Sequence, residues 1–316
     1  MRACSSHIVA YSSRLIAAQK RWRILDDMTD TMNELRDLVM RAENEWTATG
    51  IPRVKMVRAE ACSDQVYEPM LHLVLQGTKN LSIGNQVLWF EPASYTLIPI
   101  DVPAIGQIHS DAPNRPFLAV GLTLDPVVIA TMFGDLCDTR PTLREPDFSA
   151  TAASPEMMDA WLRMMRLVDR PDEAGILAPM IEREILFRVF QGPHGNMLRQ
   201  IAHADSGLSQ VRRAIDWIRV HFTEPFLVED LAALAGMSVA ALYRHFKAVT
   251  AMTPIQYQKK LRLLKARRQL IFEPDAAAAV AFSVGYESAS QFSREYARMF
   301  GMPPVRDVAR FKTPIV

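Results

Sequence analysis

The sequence predicts a mixed α+β chain: a small barrel or sandwich of short strands with helices packed on it, then an all-α unit in which one helical module occurs twice. Three observations carry this. Residues from about 53 to 124 divide into short apolar runs punctuated by Gly, Asn and Pro. Between residues 157 and 222 the apolar spacing changes to three and four. Residues 226–310 contain the same short segment twice, and an internal repeat defines architecture before other signals do.

In the first half, Leu71–Gln76 is a short apolar run closed by Gly77. Leu81–Ile83 precedes Gly84-Asn85, a hairpin turn that calls for φ > 0 residues. Gln86–Phe90, Tyr95–Ile98 and Phe117–Leu124 continue the series, with Pro92, Pro99, Pro103, Pro113 and Pro116 between them. Asp125-Pro126 reads as an N-cap followed by proline at the first helical position. Helical patterns cover Met157–Val168, Ala178–Phe190 and Leu208 to about Phe222, the last two separated by Gln191-Gly192-Pro193-His194-Gly195. Residues 1–27 have mixed polarity and are expected to be an extension without function, with Met28 or Met32 as the alternative start.

In the second half, one copy reads Gly236-Met237-Ser238-Val239-Ala240-Ala241-Leu242-Tyr243-Arg244-His245-Phe246. The other reads Gly285-Tyr286-Glu287-Ser288-Ala289-Ser290-Gln291-Phe292-Ser293-Arg294-Glu295-Tyr296. Setting Ser238 on Ser288 also aligns Arg244 with Arg294, Phe246 with Tyr296 and Pro254 with Pro304. Each glycine can end a helix in the left-handed region. Each serine can cap the next one. Counting 100° per residue from the serines, Leu242, Phe246 and Val249 share one face, as do Phe292, Tyr296 and Met299. The opposite face holds Ala240, Tyr243, Arg244 and Lys247 in one copy, and Ser290, Ser293, Arg294 and Ala297 in the other. A helix-turn-helix with a small, polar or cationic outer face suits a DNA major groove. A lone surface arginine is ordinarily a solvated charge; repetition at one offset favours readout. His245 is expected on the helix surface rather than as a ligand.

Charge agrees. Residues 206–316 carry 16 Lys+Arg against 9 Asp+Glu, while the rest of the chain carries 20 against 26. A basic third on an otherwise acidic chain is a phosphate-binding footprint. Lys259, Lys260, Arg262, Lys265, Arg267 and Arg268 concentrate it on a helix expected to bridge the two modules. Such a run is either a solvated helix face or a set of phosphate contacts.

The segment resembles the AraC/XylS-type DNA-binding domain of bacterial transcription regulators. The matching residues are Leu231–Ser238, Arg244-His245-Phe246, Thr253-Pro254, Val284–Ser288, Gln291–Tyr296 and Phe300–Pro304. The resemblance implies two recognition helices in successive major grooves, with Ala240, Tyr243 and Arg244, then Ala289, Ser290, Gln291, Ser293 and Arg294, as contact positions. The small Ala240 implies fewer bases read by the first module. Tyr67-Glu68-Pro69, Leu73–Gly77, Ala178–Ile185 and the Gly192–Gln200 stretch are similar to the N-terminal, cupin-like domain of one AraC-type subgroup. The expected organisation is then a sensing and dimerising domain at 40–200 and a DNA-binding domain at 206–316, with modules at 228–249 and 276–300. The resemblance implies a ligand-responsive, homodimeric regulator, more commonly an activator, that recruits RNA polymerase to double-stranded DNA.

Other functions are less favoured. A barrel mouth is a common ligand site, and Tyr67, His72, Trp89, Tyr95 and His109 could line one, although packing accounts for such residues more often. His72 and His109 stand alone, so no metal or cofactor is expected. Cys4, Cys62 and Cys137 are too few and scattered for a disulfide framework, and a thiol sensor at Cys62 or Cys137 is the minor reading. No apolar run approaches a membrane span and no export signal is visible, which fits the cytoplasm. Two alternatives stay open: a small-molecule enzyme with an accessory DNA domain, and a non-specific DNA-binding protein.

Overall fold

The computed structural model describes residues 28–43, 46–60, 65–109, 115–133, 149–272 and 277–312. The three cysteines and the extension at 1–27 lie outside the described residues. The chain opens with helix α1 (residues 28–39), which the sequence reading did not foresee. Its Arg36 Nε donates to the Leu75 carbonyl at 2.9 Å, fixing the helix on a strand.

Among the described residues, ten strands form two antiparallel sheets. They are β1 (Thr47–Ala48), β2 (Val54–Ala59), β3 (Gln65–Tyr67), β4 (Met70–Gln76), β5 (Thr78–Ile83), β6 (Gln86–Phe90), β7 (Ser94–Ile98), β8 (Val102–His109), β9 (Phe117–Thr123) and β10 (Thr151–Ala152). One sheet has the order β1-β2-β9-β4-β7-β10, the other β3-β8-β5-β6. The sheets face each other: His72 on β4 stands 6.5 Å from the Tyr67 ring on β3 and 6.2 Å from the Phe90 ring on β6. The hairpin at Gly84-Asn85 forms as expected, with Ile83 opposite Gln86. Only Gly84 takes positive φ (+60°), so glycine at the first turn position does the work that was shared between two residues in the sequence reading. β8 was not expected, because Pro103 breaks its pattern. Pro103 lies opposite Val66 in the middle of the three-residue β3 ladder, on the part of β8 that precedes its ladder with β5, so its missing donor touches one strand pair only.

The helices that follow are α2 (Pro126–Phe133), α3 (Pro155–Arg166), α4 (Pro171–Gln191) and α5 (Gly195–Ala202). Asp125 Oδ1 accepts from Val127 N at 2.8 Å, the cap expected before Pro126. α4 begins at Pro171 instead of Ala178. Pro179 sits inside it, but its missing donor would have served Gly175, an exposed glycine with open space where a Cβ would be. Arg53 grips the buried Glu182 of α4 with both ends of its guanidinium, at 3.0 and 2.5 Å, and ties this helix to the start of β2.

The all-α part runs α6 (Gly207–Val220), α7 (Val228–Ala235), α8 (Val239–Thr250), α9 (Pro254–Phe272), α10 (Ala277–Ser283), α11 (Ala289–Phe300) and α12 (Pro304–Lys312). Ser206 caps α6, accepting from Ser209 N at 3.0 Å. Among the described residues, two clusters hold nearly all of the buried apolar side chains. The first is continuous from Met32 through both sheets to Leu261, and so includes α6–α8. The second belongs to the later module and runs from Leu263 to Val308. The core is therefore unbroken at residue 206.

Candidate nucleic-acid interface

The α7–α8 and α10–α11 pairs form the two modules. Gly236 ends α7 at φ +71° and Gly285 follows α10 at φ +88°, both in the left-handed region that suits glycine. Ser238 accepts from Ala241 N at 3.3 Å and Ser288 from Gln291 N at 3.4 Å, so both serines cap their helices. A preceding helix closes each turn. In the first module α6 supplies Arg213, whose Nη2 donates to Ala235 O at 3.0 Å, and Gln210, which donates to Gly236 O at 3.3 Å. In the second, α9 supplies Arg262, whose Nη1 donates to Gly285 O at 2.8 Å. The repeat is thus three helices deep.

The inner faces match the periodicity. Leu242, Phe246, Val249, Phe292 and Tyr296 are buried, and Met299 is half-buried. Phe246 meets Tyr257 edge-on at 5.6 Å. Tyr286, Phe292, Tyr296 and Phe300 form a ladder of rings 4.5–5.5 Å apart. Tyr296 also donates to the buried Asp307 at 2.8 Å, and Arg267 holds the same carboxylate at 2.7 Å. Burial first, then the Asp307 carboxylate, pushes the Tyr296 phenol far above its ordinary value.

The outer faces carry the expected residues. Ala240, Tyr243, Arg244 and Lys247 are exposed on α8, as are Ser290, Gln291 and Arg294 on α11, while Ala289 and Ser293 are half-buried. Gln291 donates to Glu295 one turn on, at 3.2 Å. His245 is a correction to the sequence reading: it is buried, only 9% exposed. Burial and then the neighbouring Arg244 lower its pKa. The neutral ring fits its 3.4 Å contact with the Arg244 guanidinium.

The basic run on α9 is used differently from a phosphate-binding strip. Arg262 spans the carbonyls of Phe222, Gly285 and Glu224. Lys259 pairs with Glu295 at 3.0 Å, and Arg267 with Asp307. Burial lowers the pKa of Lys260, and Lys265 lies 4.2 Å over the Phe222 ring. Burial works upward on Glu295, but Lys259, Gln291 and Tyr286 outweigh it and hold the carboxyl below its usual range. Lys259 and Arg267 thus hold α9 against the second module, and Arg262 also ties it to the segment between α6 and α7.

The five barrel residues occupy three places. Tyr67 and His72 share a cavity of about 210 Å³ with Trp46, Lys55, Glu68 and Met70. Burial, and secondarily the Lys79 charge, lowers the His72 pKa to about 3, so its ring is neutral at pH 7. The Trp89 and His109 rings, on β6 and β8, lie 5.2 Å apart and tilted by 30°, and both are exposed. Tyr95 packs edge-on against His194 at 5.4 Å, beside the start of α5.

The sequence reading missed the joint between the two halves. Asp101, only 6% exposed, accepts an ion pair from Arg219 of α6 at 2.7 Å, and its backbone carbonyl accepts from Tyr257 of α9. Arg212 of α6 donates to Pro99 O at 2.9 Å. The β5–β6 turn reaches the end of α8, where a Cβ on Gly84 would come within 2.4 Å of the Ala251 carbonyl. No local pattern in the sequence marks these partners, which lie more than a hundred positions apart.

Among the described residues no three or more His, Cys, Asp or Glu side chains gather at metal-binding distance, and no helix is long and apolar enough to cross a membrane. The family model of the AraC-type transcriptional regulator N-terminus matches residues 50–197, and a helix-turn-helix domain model matches residues 231–309. The HTH-type transcriptional activator RhaS of Escherichia fergusonii is 32% identical over 130 residues, covering 40% of this chain and 46% of that protein. RhaS of Salmonella agona is 28% identical over 157 residues, covering 49% and 55%. The chain thus spans about half the length of the curated relatives it matches. Among solved structures, apo ToxT from Vibrio cholerae aligns with a TM-score of 0.53 at 10% identity, covering 85% of this chain and all of that one. ToxT with an unsaturated fatty acid bound aligns at 0.51 and 9% identity, covering 81% and 93%. At such identity these two show a common fold alone.

Proposed function

This chain belongs to the AraC-type transcriptional regulators, and we propose that it binds a specific DNA site through residues 206–316 under control of residues 40–200. The observation that carries the proposal is the pair of outward helix faces. Each follows a capping serine, and each is held by an arginine from the preceding helix. Ala240, Tyr243, Arg244 and Lys247 would meet one major-groove segment. Ala289, Ser290, Gln291, Ser293 and Arg294 would meet the next, about 34 Å or one turn of B-DNA away. Lys247 and Arg294 have no ion-pair partner among the described residues, which leaves them available to phosphates or base edges.

The first domain would bind a small molecule and self-associate. The cavity beside Tyr67 and His72 supports the first role, as does a fold shared with ToxT, which has been solved with a fatty acid bound. The joint at Asp101 gives such binding a physical route to α6 and α9. We read the chain as a cytoplasmic activator acting through RNA polymerase, by analogy with the RhaS activators it resembles.

The test is selection of bound sequences from a random duplex pool, followed by footprinting at fixed salt. The expected result is two protected major-groove segments about ten base pairs apart on one face. Ala240 makes the segment under α11 the more selective one. Equal affinity for all duplexes, or protection of a single segment, would contradict the proposal.

A further inference from the structure

Helices α9 and α11 start with the same capping sequence, a hydroxyl residue followed three positions on by glutamine. In the capping box that this pattern encodes, the glutamine side chain reaches back to the N–H of the cap. At the start of α9 it does. Thr253 N donates to Gln256 Oε1 at 2.9 Å, and Gln256 N donates to Thr253 Oγ1 at 3.2 Å. At the start of α11 only half of the box is made. Gln291 N donates to Ser288 Oγ at 3.4 Å, but the Gln291 amide turns forward and its Nε2 donates to Glu295 Oε1 at 3.2 Å. Glu295 is itself held from outside the helix. Lys259 of α9 donates to the same oxygen at 3.0 Å, and the Tyr286 hydroxyl donates to Oε2 at 2.9 Å. The exposed Gln291 is thereby drawn out of its cap, with the exposed Arg294 beside it three positions on. It lies in the first turn of α11, the part of a recognition helix that meets base edges.

We propose that Gln291 reads an adenine in the major-groove segment under α11, and that Glu295 is the positioning residue that sets its amide for this. The inference rests on the DNA-binding reading above and adds the base and the residue that selects it. An ionised carboxylate only accepts hydrogen bonds, so the Gln291 NH2 must face Glu295 and its carbonyl must point away. One N–H and the carbonyl oxygen remain for a partner. Adenine offers the matching pair in the major groove, an N7 acceptor beside an N6 donor. Guanine offers two acceptors, one of which would oppose the Gln291 carbonyl, while thymine and cytosine each leave half of the amide unpaired. Holding the amide in place before binding removes part of the rotamer cost of readout. Lys259 offsets the Glu295 charge, so the acid can stand beside a phosphate backbone. Counted from the capping serine, the first module has Ala241 and His245 at these two positions, so the device belongs to the second module alone.

The experiment measures binding of the full chain, at fixed salt, to the duplex selected from a random pool and to its complete set of single-base-pair substitutions. Wild type is compared with Gln291→Ala, Glu295→Ala and the double variant. The expected result is one A·T pair under α11 whose replacement weakens wild-type binding by about five- to a hundredfold. Gln291→Ala should flatten the preference at that pair alone. Glu295→Ala should reduce it as well, and the double variant should be no flatter than Gln291→Ala, because the carboxylate acts through the amide. Gln291 is exposed, so its variant folds whatever Glu295 contributes to stability and tests the base assignment by itself. Gln291→Ala leaving every base preference intact, or flattening a pair other than A·T, would overturn the assignment. Equal losses over all duplexes in Glu295→Ala, or a Glu295→Ala effect on the preference that persists without Gln291, would remove Glu295 as the positioning residue. Both results leave a site-specific regulator standing, whereas a wild-type protein that prefers no duplex refutes the DNA-binding reading itself.

Discussion

The phenolic hydroxyl of Tyr257 donates to the backbone carbonyl of Asp101 across 2.9 Å, joining residues 156 positions apart in the chain. The same aspartate holds Arg219 through its carboxylate. One barrel residue thus anchors two helices of the DNA-binding part. Tyr257→Phe keeps the packing and strands a buried carbonyl, so unfolding in urea should show a loss of about 1–2 kcal/mol. Arg219→Ala should cost more, because it leaves the buried Asp101 carboxylate unpaired. Unchanged stability in Tyr257→Phe would mean that this bond does not hold the halves together.

Arg294 and Arg262 should fail in different ways. Arg294→Ala is expected to weaken specific DNA binding by about 1–3 kcal/mol and to relax the preference at one base pair, with the melting temperature unchanged. Arg262→Ala removes the donor to three carbonyls, so it should lower the melting temperature first. Binding isotherms and thermal melts on both variants decide this. A uniform loss over all sequences in Arg294→Ala would make it a phosphate contact.

Gly285 and Gly301 both take positive φ, +88° and +81°. A Cβ at Gly285 would lie 2.3 Å from the Thr223 carbonyl oxygen, whereas one at Gly301 meets nothing within 4 Å. Gly301→Ala should therefore cost only the backbone strain, about 1 kcal/mol. Gly285→Ala should cost roughly 2 kcal/mol or more, since the Thr223 backbone must also move. Denaturant titration of the two variants compares them directly, and equal losses would refute the steric account.

His72 should make the barrel acid-sensitive. Its folded pKa, about 3, lies below the ordinary 6.5. The unfolded chain therefore binds the extra proton between those values. The contribution of the neutral ring is complete above pH 6.5 and is lost as pH falls toward 3. Between pH 6.5 and 4.5 the loss should reach about 2–3 kcal/mol. His72→Gln should flatten that part of the stability profile; the same slope in wild type and variant would locate the acid sensitivity elsewhere.

Local signals were legible in the sequence where they act within about a dozen residues. Ser238 and Ser288 cap, Gly236 and Gly285 turn, and the 3.6-residue period separates Leu242 and Phe246 from Arg244 and Lys247. The hairpin at Gly84 belongs to the same class. β8 and the early part of α4 were harder to see because Pro103 and Pro179 contradict the pattern locally, and only the neighbouring strand or an open carbonyl shows that each is tolerated.

By itself the sequence determined that one helical module occurs twice, which serines cap its outer helices, and which apolar residues of those helices face inward. These follow from side-chain geometry along one stretch of backbone. Only the tertiary structure decided which charges are free. Periodicity places Lys259, Arg262 and Arg267 on the surface of a helix, but it does not say what lies opposite. Their partners, Glu295, the Phe222 and Gly285 carbonyls, and Asp307, stand 23 to 40 positions away. The split of the barrel candidates into a cavity pair, an exposed ring pair and a helix contact is decided in the same way. Whether a side chain binds a ligand or another part of the chain depends on what the fold brings against it, and that is a non-local property.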